Sequence, residues 1–269
     1  MQASLNLSVI IITLNEEEHI TSCIQHLPEG SEIIILDSGS TDHTKSLATK
    51  LGAKVYHRDF DDFASQKNAA IKLASKQWIL SLDADEIISQ DLKNEIVLQI
   101  KDNHICADAF RIHRKLVFMK KQLRYGKSQD QPIRLFRKNK AHFSKKIHEH
   151  LIVQGSVAKL TGSIKHYSYD SITDYFSRFN AYTSQISREH FFGKTPIPGK
   201  IPHAFRPWYE FVNRYIFRLG FLDGYPGYCY ALFSSIYAFV KYAKLLELYQ
   251  NQAGKQKYEL KNQAQQNTN

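Results

Sequence analysis

The chain has 269 residues, of which 43% are hydrophobic, and this is enough to bury the core of an α/β domain with a second part attached. Its three cysteines, Cys23, Cys106 and Cys229, are widely spaced, which argues against a disulfide framework or a cysteine-ligated zinc site. The net charge of +10 is uneven, because residues 1–110 carry 9 Lys and Arg against 17 Asp and Glu, whereas residues 111–269 carry 27 against 9. The basic half indicates an anionic partner.

Short apolar runs alternate with helix-forming segments through the first part of the chain. The first run has no cationic segment before it and is followed at once by Glu16-Glu17-Glu18, so it is interpreted as a strand and not as a signal peptide, and a cytoplasmic location is expected. Strands are predicted at residues 8–13, 32–36, 54–57 and 78–82. Strands that alternate with helices predict a parallel sheet, whose ligands bind at the carboxyl ends of the strands.

Polar loops follow three of these strands. They are Thr13-Leu-Asn15-Glu16, Asp37-Ser-Gly-Ser-Thr-Asp42 and Asp83-Ala-Asp85-Glu86. Each loop alone is typical of a helix cap, and the last could cap a helix that begins at Ile87. All three on one edge of a sheet predict instead a site for a nucleoside diphosphate. The glycine-rich motifs of dinucleotide folds and P-loop ATPases are absent from the sequence.

Asp83 and Asp85 are two residues apart, so their carboxylates lie on the same side of an extended chain. Two adjacent negative charges need a compensating cation. Mg²⁺ and Mn²⁺ take oxygen ligands and are commonly bound by one or two carboxylates together with substrate phosphates. A divalent cation is therefore the expected cofactor.

These three motifs, in this order, resemble the family 2 glycosyltransferases over the first ~100 residues. The resemblance implies a GT-A fold, that is, an α/β fold with a mostly parallel, Rossmann-like sheet flanked by helices. It also implies site residues: the nucleoside pocket at Thr13, Asn15 and Glu16, the base at Asp37, the diphosphate or base near Lys67, and the metal and nucleotide sugar at Asp83 and Asp85. Asp85 is the more direct metal ligand in this interpretation.

Residues 111–150 contain 13 Lys and Arg but only Asp130 and Glu149 as acids. Many family 2 transferases have a strand with the pattern Arg-x-Phe-Arg followed by a His-Glu pair, and residues 134–137 with His148-Glu149 match it. Inverting sugar transfer needs a carboxylate that removes the proton of the acceptor hydroxyl, and Glu149 is the predicted base. The alternative is that Glu149 pairs with the surrounding Lys and Arg. The family match also assigns His166 to the metal or the leaving phosphate.

The last third of the chain is rich in aromatic residues interleaved with arginines. A helix is predicted at residues 174–192 and another at 228–250, and residues 253–269 are predicted to be a disordered tail. Aromatic residues beside Arg suit a phospholipid headgroup surface, and the alternative is that these helices cover the core of the catalytic domain. No nucleic-acid recognition motif is present, so no nucleic-acid partner is expected.

The segment from Tyr215 to Gly224, Tyr-x-x-Arg-Leu-Gly-Phe-Leu-Asp-Gly, resembles the subgroup that adds glucose to heptose in the inner core of bacterial lipopolysaccharide. The resemblance implies a GT-A domain at residues 1–170, with a donor half at 1–110 and a basic acceptor half at 111–170, and a membrane-associating extension at 171–252. It also implies UDP-glucose as donor, a lipid-linked anionic saccharide as acceptor, and peripheral attachment to the cytosolic face of the inner membrane. The alternatives are a polyprenyl phosphate, another polysaccharide or a protein as acceptor, and a non-catalytic protein that binds membranes or polyanions.

Overall fold

A computed structural model describes residues 4–101, 107–144, 150–169, 171–196 and 199–266 of the chain. The chain divides into two compact units, and the boundary does not follow the sequence order. Unit 1 comprises residues 1–117 and 129–168, and unit 2 comprises residues 118–128 and 169–269. Unit 2 therefore includes a segment that was predicted to lie in the acceptor half of the first domain.

Unit 1 is built mainly from a mixed sheet. Its first strands are β1 (Leu7–Thr13), β2 (Glu32–Asp37), β3 (Lys54–His57), β4 (Trp78–Asp83), β5 (Glu86–Ile88) and β6 (Ala109–Phe118). The next strand, β7 (Lys121–Gln122), belongs to unit 2. The remaining strands of unit 1 are β8 (Gln129–Asp130), β9 (Ile133–Arg137), β10 (Ala141–Ser144), β11 (His150–Val153) and β12 (Val157–His166). Its helices are α1 (Ile20–Gln25), α2 (Thr44–Lys50), α3 (Phe63–Leu73) and α4 (Gln90–Lys101).

The order of strands in the main sheet is β3-β2-β1-β4-β9-β6-β12-β5. The first four are parallel to one another, whereas β9 is antiparallel to β4 and to β6, and β12 is parallel to β6. Strands β10 and β11 form a separate antiparallel pair. The α/β class and the parallel donor half expected for the GT-A type are confirmed.

The burial of both faces of β1 explains why residues 9–12 are continuously apolar. Leu7, Val9 and Ile11 face a core that also contains residues of α1 and α4, whereas Ile10 faces a second core with residues of α3. Helices on both faces leave no side of the strand to solvent, so every position favours an apolar side chain. The polar residues are confined to the strand ends.

The register brings those ends together. Thr13 is level with Asp37 of β2, and Ile12 is level with Asp83 of β4, so the two aspartates flank the end of β1 on its two sides. Adjacent strands lie about 4.8 Å apart, which puts the two aspartate backbones roughly 10 Å from each other. This edge of the sheet is the predicted location of the site.

Unit 2 consists of helices α5 (Ile172–Phe192), α6 (Lys200–Val212) and α7 (Gly224–Gln266), with a π-helical turn at Asn213–Phe217 and a 3₁₀ turn at Gly220–Asp223 between the last two. Its core is aromatic: the ring of Phe118 contacts Tyr169, Tyr175, Tyr230 and Phe233. In the described part of the chain, no helix is long and apolar enough to cross a membrane.

The structure differs from the predicted secondary structure in two places. The residues after Asp85 form β5, so they do not begin the helix at Ile87 for which a cap was considered, and α4 begins only at Gln90. Helix α7 continues to Gln266, where a disordered tail was predicted. Residues 253–266 are polar but include four Gln, three Lys and two Ala, which have favourable helix propensities.

Candidate functional site

The loops after β1 and β2 are joined by hydrogen bonds. Asn15 has a left-handed backbone with φ of 55°, and its amide N–H donates to Ser40 Oγ at 2.8 Å while its side-chain Oδ1 accepts from the Thr41 N–H at 2.9 Å. The N–H of Glu16 donates to Thr44 Oγ1 at 2.8 Å. Residues from two loops thus form one rim, which fixes the backbone at the end of β1.

Asp37 is fully buried beneath this rim. It accepts hydrogen bonds from the N–H groups of Gly39 and Ser40 at 3.0 and 2.8 Å, from the Ser40 hydroxyl, and from Thr13 Oγ1 at 3.0 Å. Burial raises the pKa of Asp37, but the hydrogen bonds from Ser40, Gly39 and Thr13 outweigh burial and lower the pKa below its ordinary value. Asp37 is therefore a charged carboxylate that hydrogen bonds from its own loop and from Thr13 hold in place.

Helix α3 presents three consecutive residues to three different places, because successive side chains on a helix are about 100° apart. Gln66 donates to Ser38 Oγ at 2.7 Å, below the Asp37 loop. Lys67 Nζ lies 3.1 Å from Asp83 Oδ1. Asn68 donates to the carbonyl oxygen of Phe143 and accepts from the Phe143 N–H, both at 2.8 Å, which fastens α3 to β10.

Asp83 lies between cations. Its Oδ2 accepts a hydrogen bond from Arg134 Nη2 at 2.7 Å, and Oδ1 faces Lys67. Burial opposes ionisation of Asp83, but the charges of Arg134 and Lys67 outweigh it and hold the pKa well below the ordinary value. This carboxylate is charged and strongly held in the absence of any ligand.

Glu86 is completely buried and completes the same cluster. Its Oε1 accepts from Arg134 Nη2 at 2.5 Å and from Arg114 Nη1 at 3.2 Å, and its Oε2 accepts from the Asp83 N–H at 3.1 Å. Arg114 is held in turn by Asp130, because its Nη2 donates to Asp130 Oδ2 at 2.6 Å and its Nε donates to Asp130 Oδ1 at 2.9 Å. Glu86 does not cap a helix; it ties the turn after β4 to the arginines of β9 and β6.

Asp85 and His166 form the other half of the cluster. His166 is the last residue of β12 and pairs with Glu86 of β5, which brings its Nε2 to 3.4 Å from Asp85 Oδ2. Burial lowers the pKa of His166, but the adjacent Asp85 carboxylate outweighs burial and raises the pKa above its ordinary value. Two predicted metal ligands that are distant in the sequence are thus neighbours.

The donor groups at this edge fit a hard divalent cation in part. Asp85 and His166 offer a carboxylate oxygen and an imidazole nitrogen, and neither forms an ion pair with an arginine or lysine of the described chain, whereas the Asp83 carboxylate is held by two cations. Among the described residues, no three His, Cys, Asp or Glu side chains are grouped closely enough to hold a metal ion by themselves. A cation here would need oxygens from the substrate, as Mg²⁺ sites with few protein ligands do.

Eight of the nine predicted site residues lie in the described chain, and all eight belong to unit 1 at the carboxyl edge of β1, β2 and β4 or beside it. They are Thr13, Asn15, Glu16, Asp37, Lys67, Asp83, Asp85 and His166. The predicted base Glu149 lies outside the described residues. In the sequence, Glu149 lies between β10 and β11. Ser144 of β10 pairs with His150 of β11.

Sequence reasoning missed the contribution of Arg114, Arg134 and Glu86. Arg134 was noted only as part of a family pattern, and Glu86 had no assigned role. One signal was available in the sequence. An arginine within the apolar strand Ile-Arg-Leu-Phe is expected to be buried, and a buried arginine needs a carboxylate partner. Which carboxylate this would be could not be read from the sequence.

The sequence matches known proteins along most of its length. Residues 8–191 match the family described as Glycosyl transferase family 2. The lipopolysaccharide core biosynthesis glycosyltransferase LpsC of Rhizobium meliloti is 30% identical over 264 residues, which are 92% of this chain and 94% of that protein. An uncharacterized glycosyltransferase of Rickettsia typhi is 29% identical over 259 residues, covering 90% of this chain and 87% of the relative.

Among solved structures, S. aureus TarS is similar with 17% sequence identity and a TM-score of 0.46, covering 87% of this chain and 80% of the TarS chain. A similarity at that level carries no conclusion about this protein. The family match spans more than half of the chain and includes every described site residue. The chain therefore belongs to glycosyl transferase family 2 and is a glycosyltransferase.

Proposed function

We propose that this transferase moves a sugar, with inversion and with the help of a divalent cation, from a nucleoside diphosphate donor to a lipid-linked saccharide of the lipopolysaccharide core. UDP-glucose is the proposed donor. The observation that carries the proposal is the carboxyl edge of the sheet, where Asp83 and the buried Asp37 flank the end of β1 and the Asp85–His166 pair lies just beyond β4. One side suits a nucleoside base, and the other suits a metal with phosphates.

On the donor side, Asp37 accepts hydrogen bonds from the base, and the rim formed by Thr13, Asn15 and Glu16 encloses the nucleoside. Support comes from the family pattern and from the position of Asp37 as the last residue of β2, at the carboxyl edge of the sheet. Lys67 contributes an ammonium group beside the diphosphate. In the structure its Nζ lies 3.1 Å from Asp83 Oδ1.

Asp85 and His166 would hold the cation, and Asp83 would contact the nucleotide sugar next to it. When bound, a divalent cation neutralises the charge that develops on the departing diphosphate. Arg134, Arg114 and Glu86 keep the chain between Asp83 and Asp85 in place, since Arg134 and Glu86 are buried at that turn and the half-buried Arg114 contacts Asp83 and Glu86. The protein thus supplies a fixed frame and leaves the remaining ligand positions to the substrate.

Glu149 is proposed as the base that takes the proton of the acceptor hydroxyl while its oxygen attacks the anomeric carbon. Support comes from the sequence pattern and from Asn68, which holds β10, the strand preceding the Glu149 segment, next to Lys67 on α3. The acceptor assignment rests on the likeness to LpsC, a lipopolysaccharide core glycosyltransferase, and on the basic character of residues 111–150. Such an acceptor would place the enzyme at the cytosolic face of the inner membrane, bound peripherally.

The donor site is tested by calorimetric titration of UDP in the presence and absence of Mn²⁺. We expect Mn²⁺ to strengthen UDP binding to the wild-type protein by about tenfold or more, and Asp85→Asn to lose this gain. Asp59→Asn is the matched control, because the Asp59 side chain is 98% exposed and carries the same charge change. If Mn²⁺ leaves UDP affinity unchanged and Asp85→Asn binds like the wild type, the donor and metal assignments are wrong.

The acceptor is tested by offering UDP-glucose and other nucleotide sugars with core oligosaccharides, a polyprenyl phosphate and unrelated polysaccharides. We expect glucose transfer to a heptose-containing core fragment, and Glu149→Gln should keep UDP binding while transfer falls by about 10² to 10⁴-fold. Transfer to the polyprenyl phosphate alone would assign the enzyme to another lipid-linked acceptor. Full transfer by Glu149→Gln would exclude Glu149 as the base.

A further inference from the structure

Helix α6 exposes an unusual apolar face. Ile201, Phe205, Trp208 and Tyr209 recur at helical spacing on one side, and they are 73%, 65%, 68% and 60% exposed. None of residues 201–212 is buried, although the helix is amphipathic. Soluble proteins rarely expose a contiguous apolar patch of this size unless it binds something.

The remaining side of α6 already has its partner within unit 2. The ring of His203 stacks on Phe239 of α7 at 4.5 Å and hydrogen-bonds the Phe239 carbonyl oxygen at 3.0 Å. Phe211, near the end of α6, packs on Tyr228 of α7. The exposed face is therefore not the face by which α6 folds onto α7. It is a second surface that unit 2 leaves open.

Basic charge accompanies this face. The exposed Arg206 lies within α6, and the exposed Arg218 follows the π-helical turn. Residues 199–228 contain two acids, and both are engaged: Asp223 is buried and accepts two backbone N–H groups at 2.9 Å, and Glu210 faces Arg214 at 3.7 Å and Lys127 at 3.9 Å. The charges left to solvent on this stretch are positive.

The same asymmetry holds for the whole unit. Unit 2 contains 16 Lys and Arg but 7 Asp and Glu, so it carries +9 of the formal charge of +10, whereas unit 1 is nearly neutral. A surface that combines exposed Trp, Tyr and Phe with arginines suits the boundary of a phospholipid layer, where rings sit at the headgroup level and cations meet anionic phosphates. A second copy of this chain would bring two strongly positive units together, which costs electrostatic free energy.

We infer that the face of α6 formed by Ile201, Phe205, Trp208 and Tyr209 docks on an anionic phospholipid surface, with Arg206 and Arg218 at the headgroup phosphates. This inference deepens the proposed function, on which it rests for a membrane-bound acceptor. It names the contact surface and the lipid charge.

The chain contains its own optical probe for this contact. It has two tryptophans: Trp78 is buried in unit 1 and Trp208 lies on the α6 face. When vesicles of phosphatidylcholine with phosphatidylglycerol are added to the full-length protein, we expect the emission of Trp208 to shift to shorter wavelength and to become protected from acrylamide. Vesicles of phosphatidylcholine alone should give a smaller shift, and salt should reduce the shift on the anionic vesicles. Trp208→Phe should abolish the spectral change yet still sediment with the vesicles.

Variants separate this face from other apolar surface. We expect the double variant Phe205→Ser/Trp208→Ser to lose co-sedimentation by about tenfold or more, because two aromatic side chains no longer enter the interface. Leu98→Ser is the control, since Leu98 is 68% exposed on α4 of unit 1 and should not matter. Arg206→Gln/Arg218→Gln should lower binding to the anionic vesicles selectively.

Three results would overturn the inference: no spectral change and no sedimentation of the wild type with anionic vesicles, sedimentation of the double variant equal to that of the wild type, or a lipid-free dimer that the double variant abolishes. The last result would assign the face to a second copy. UDP titration of the same samples keeps the two proposals apart. If the protein does not bind vesicles but keeps Mn²⁺-dependent UDP binding, only the docking surface is wrong. If it binds vesicles but shows no Mn²⁺-dependent UDP binding, only the donor site is wrong.

Discussion

At the scale of single residues, the unusual feature is how much charge unit 1 buries beside its site. Arg134 is buried in the middle of β9 and bridges Asp83 and Glu86, which are three residues apart on the turn after β4. Arg114 adds a second contact to Glu86. Buried charges are costly unless they are paired, so each member of this cluster depends on the others. The arrangement fixes the direction of the Asp83 carboxylate before a substrate arrives.

We predict that Arg134→Met lowers the free energy of unfolding by about 3–5 kcal/mol, because it leaves the buried Glu86 and the half-buried Asp83 without their main partner. Urea unfolding measures this. Adding Glu86→Leu to the same protein should recover part of the loss, since the buried uncompensated carboxylate is then removed as well. UDP affinity should fall in both variants. A single variant as stable as the wild type would show that the cluster does not carry this energy.

At the scale of elements, close packing explains two glycines: Gly220, which belongs to the motif that resembles the inner-core subgroup and lies in the turn that precedes α7, and Gly227, in the first turn of that helix. A Cβ on Gly227 would lie 2.2 Å from the carbonyl oxygen of Gly220, and a Cβ on Gly220 would lie 2.7 Å from that of Arg214. These are backbone atoms and cannot move independently of the turn. Asp223 in the same turn accepts the N–H groups of Arg124 and Tyr125, which anchors the inserted segment 118–128. These residues thus allow close packing within unit 2.

Gly227→Ala is accordingly expected to destabilise the protein by about 1–3 kcal/mol or more, through the overpacking that an added methyl group causes. Thermal or urea unfolding provides the measurement. Gly199→Ala is a suitable comparison, because a Cβ there would meet its nearest neighbour, a ring atom of Pro202, at an ordinary 3.6 Å. Equal stability of the two variants would contradict the close approach at Gly227.

At the scale of the whole molecule, the chain enters unit 2 twice. Phe118, at the start of the inserted segment, is almost completely buried, and its ring contacts come from residues after 168. Unit 2 also carries almost all of the net charge. The residues proposed for sugar transfer therefore belong to unit 1, and those proposed for membrane docking belong to unit 2. The two units are interleaved in the sequence.

A fragment that ends at residue 168 should consequently fold poorly or aggregate, because it keeps Phe118 and Leu123 but lacks the side chains that bury Phe118. We expect it to bind a hydrophobic dye strongly. Replacing residues 118–128 of the fragment by a short Gly-Ser linker should reduce dye binding and raise solubility. If the unaltered fragment is as soluble as the full chain and binds no dye, the assignment of the segment to unit 2 is wrong.

The sequence by itself determined the features that depend on neighbouring residues. Apolar runs with polar ends predicted the strands β1, β2 and β4 and the carboxyl edge at which their polar ends meet, because a strand buried on both faces tolerates polar side chains only where it ends. The motifs at those ends predicted the family correctly. Periodicity also predicted most of α5.

Only the tertiary structure decided which distant groups meet. Arg134 and Glu86 are 48 residues apart and Arg124 and Asp223 are 99 apart, and no local pattern specifies such pairs. The assignment of residues 118–128 to unit 2 and the exposure of one face of α6 follow from the same kind of contact. Periodicity shows that a helix has an apolar face, but whether that face is covered depends on how the rest of the chain packs around it.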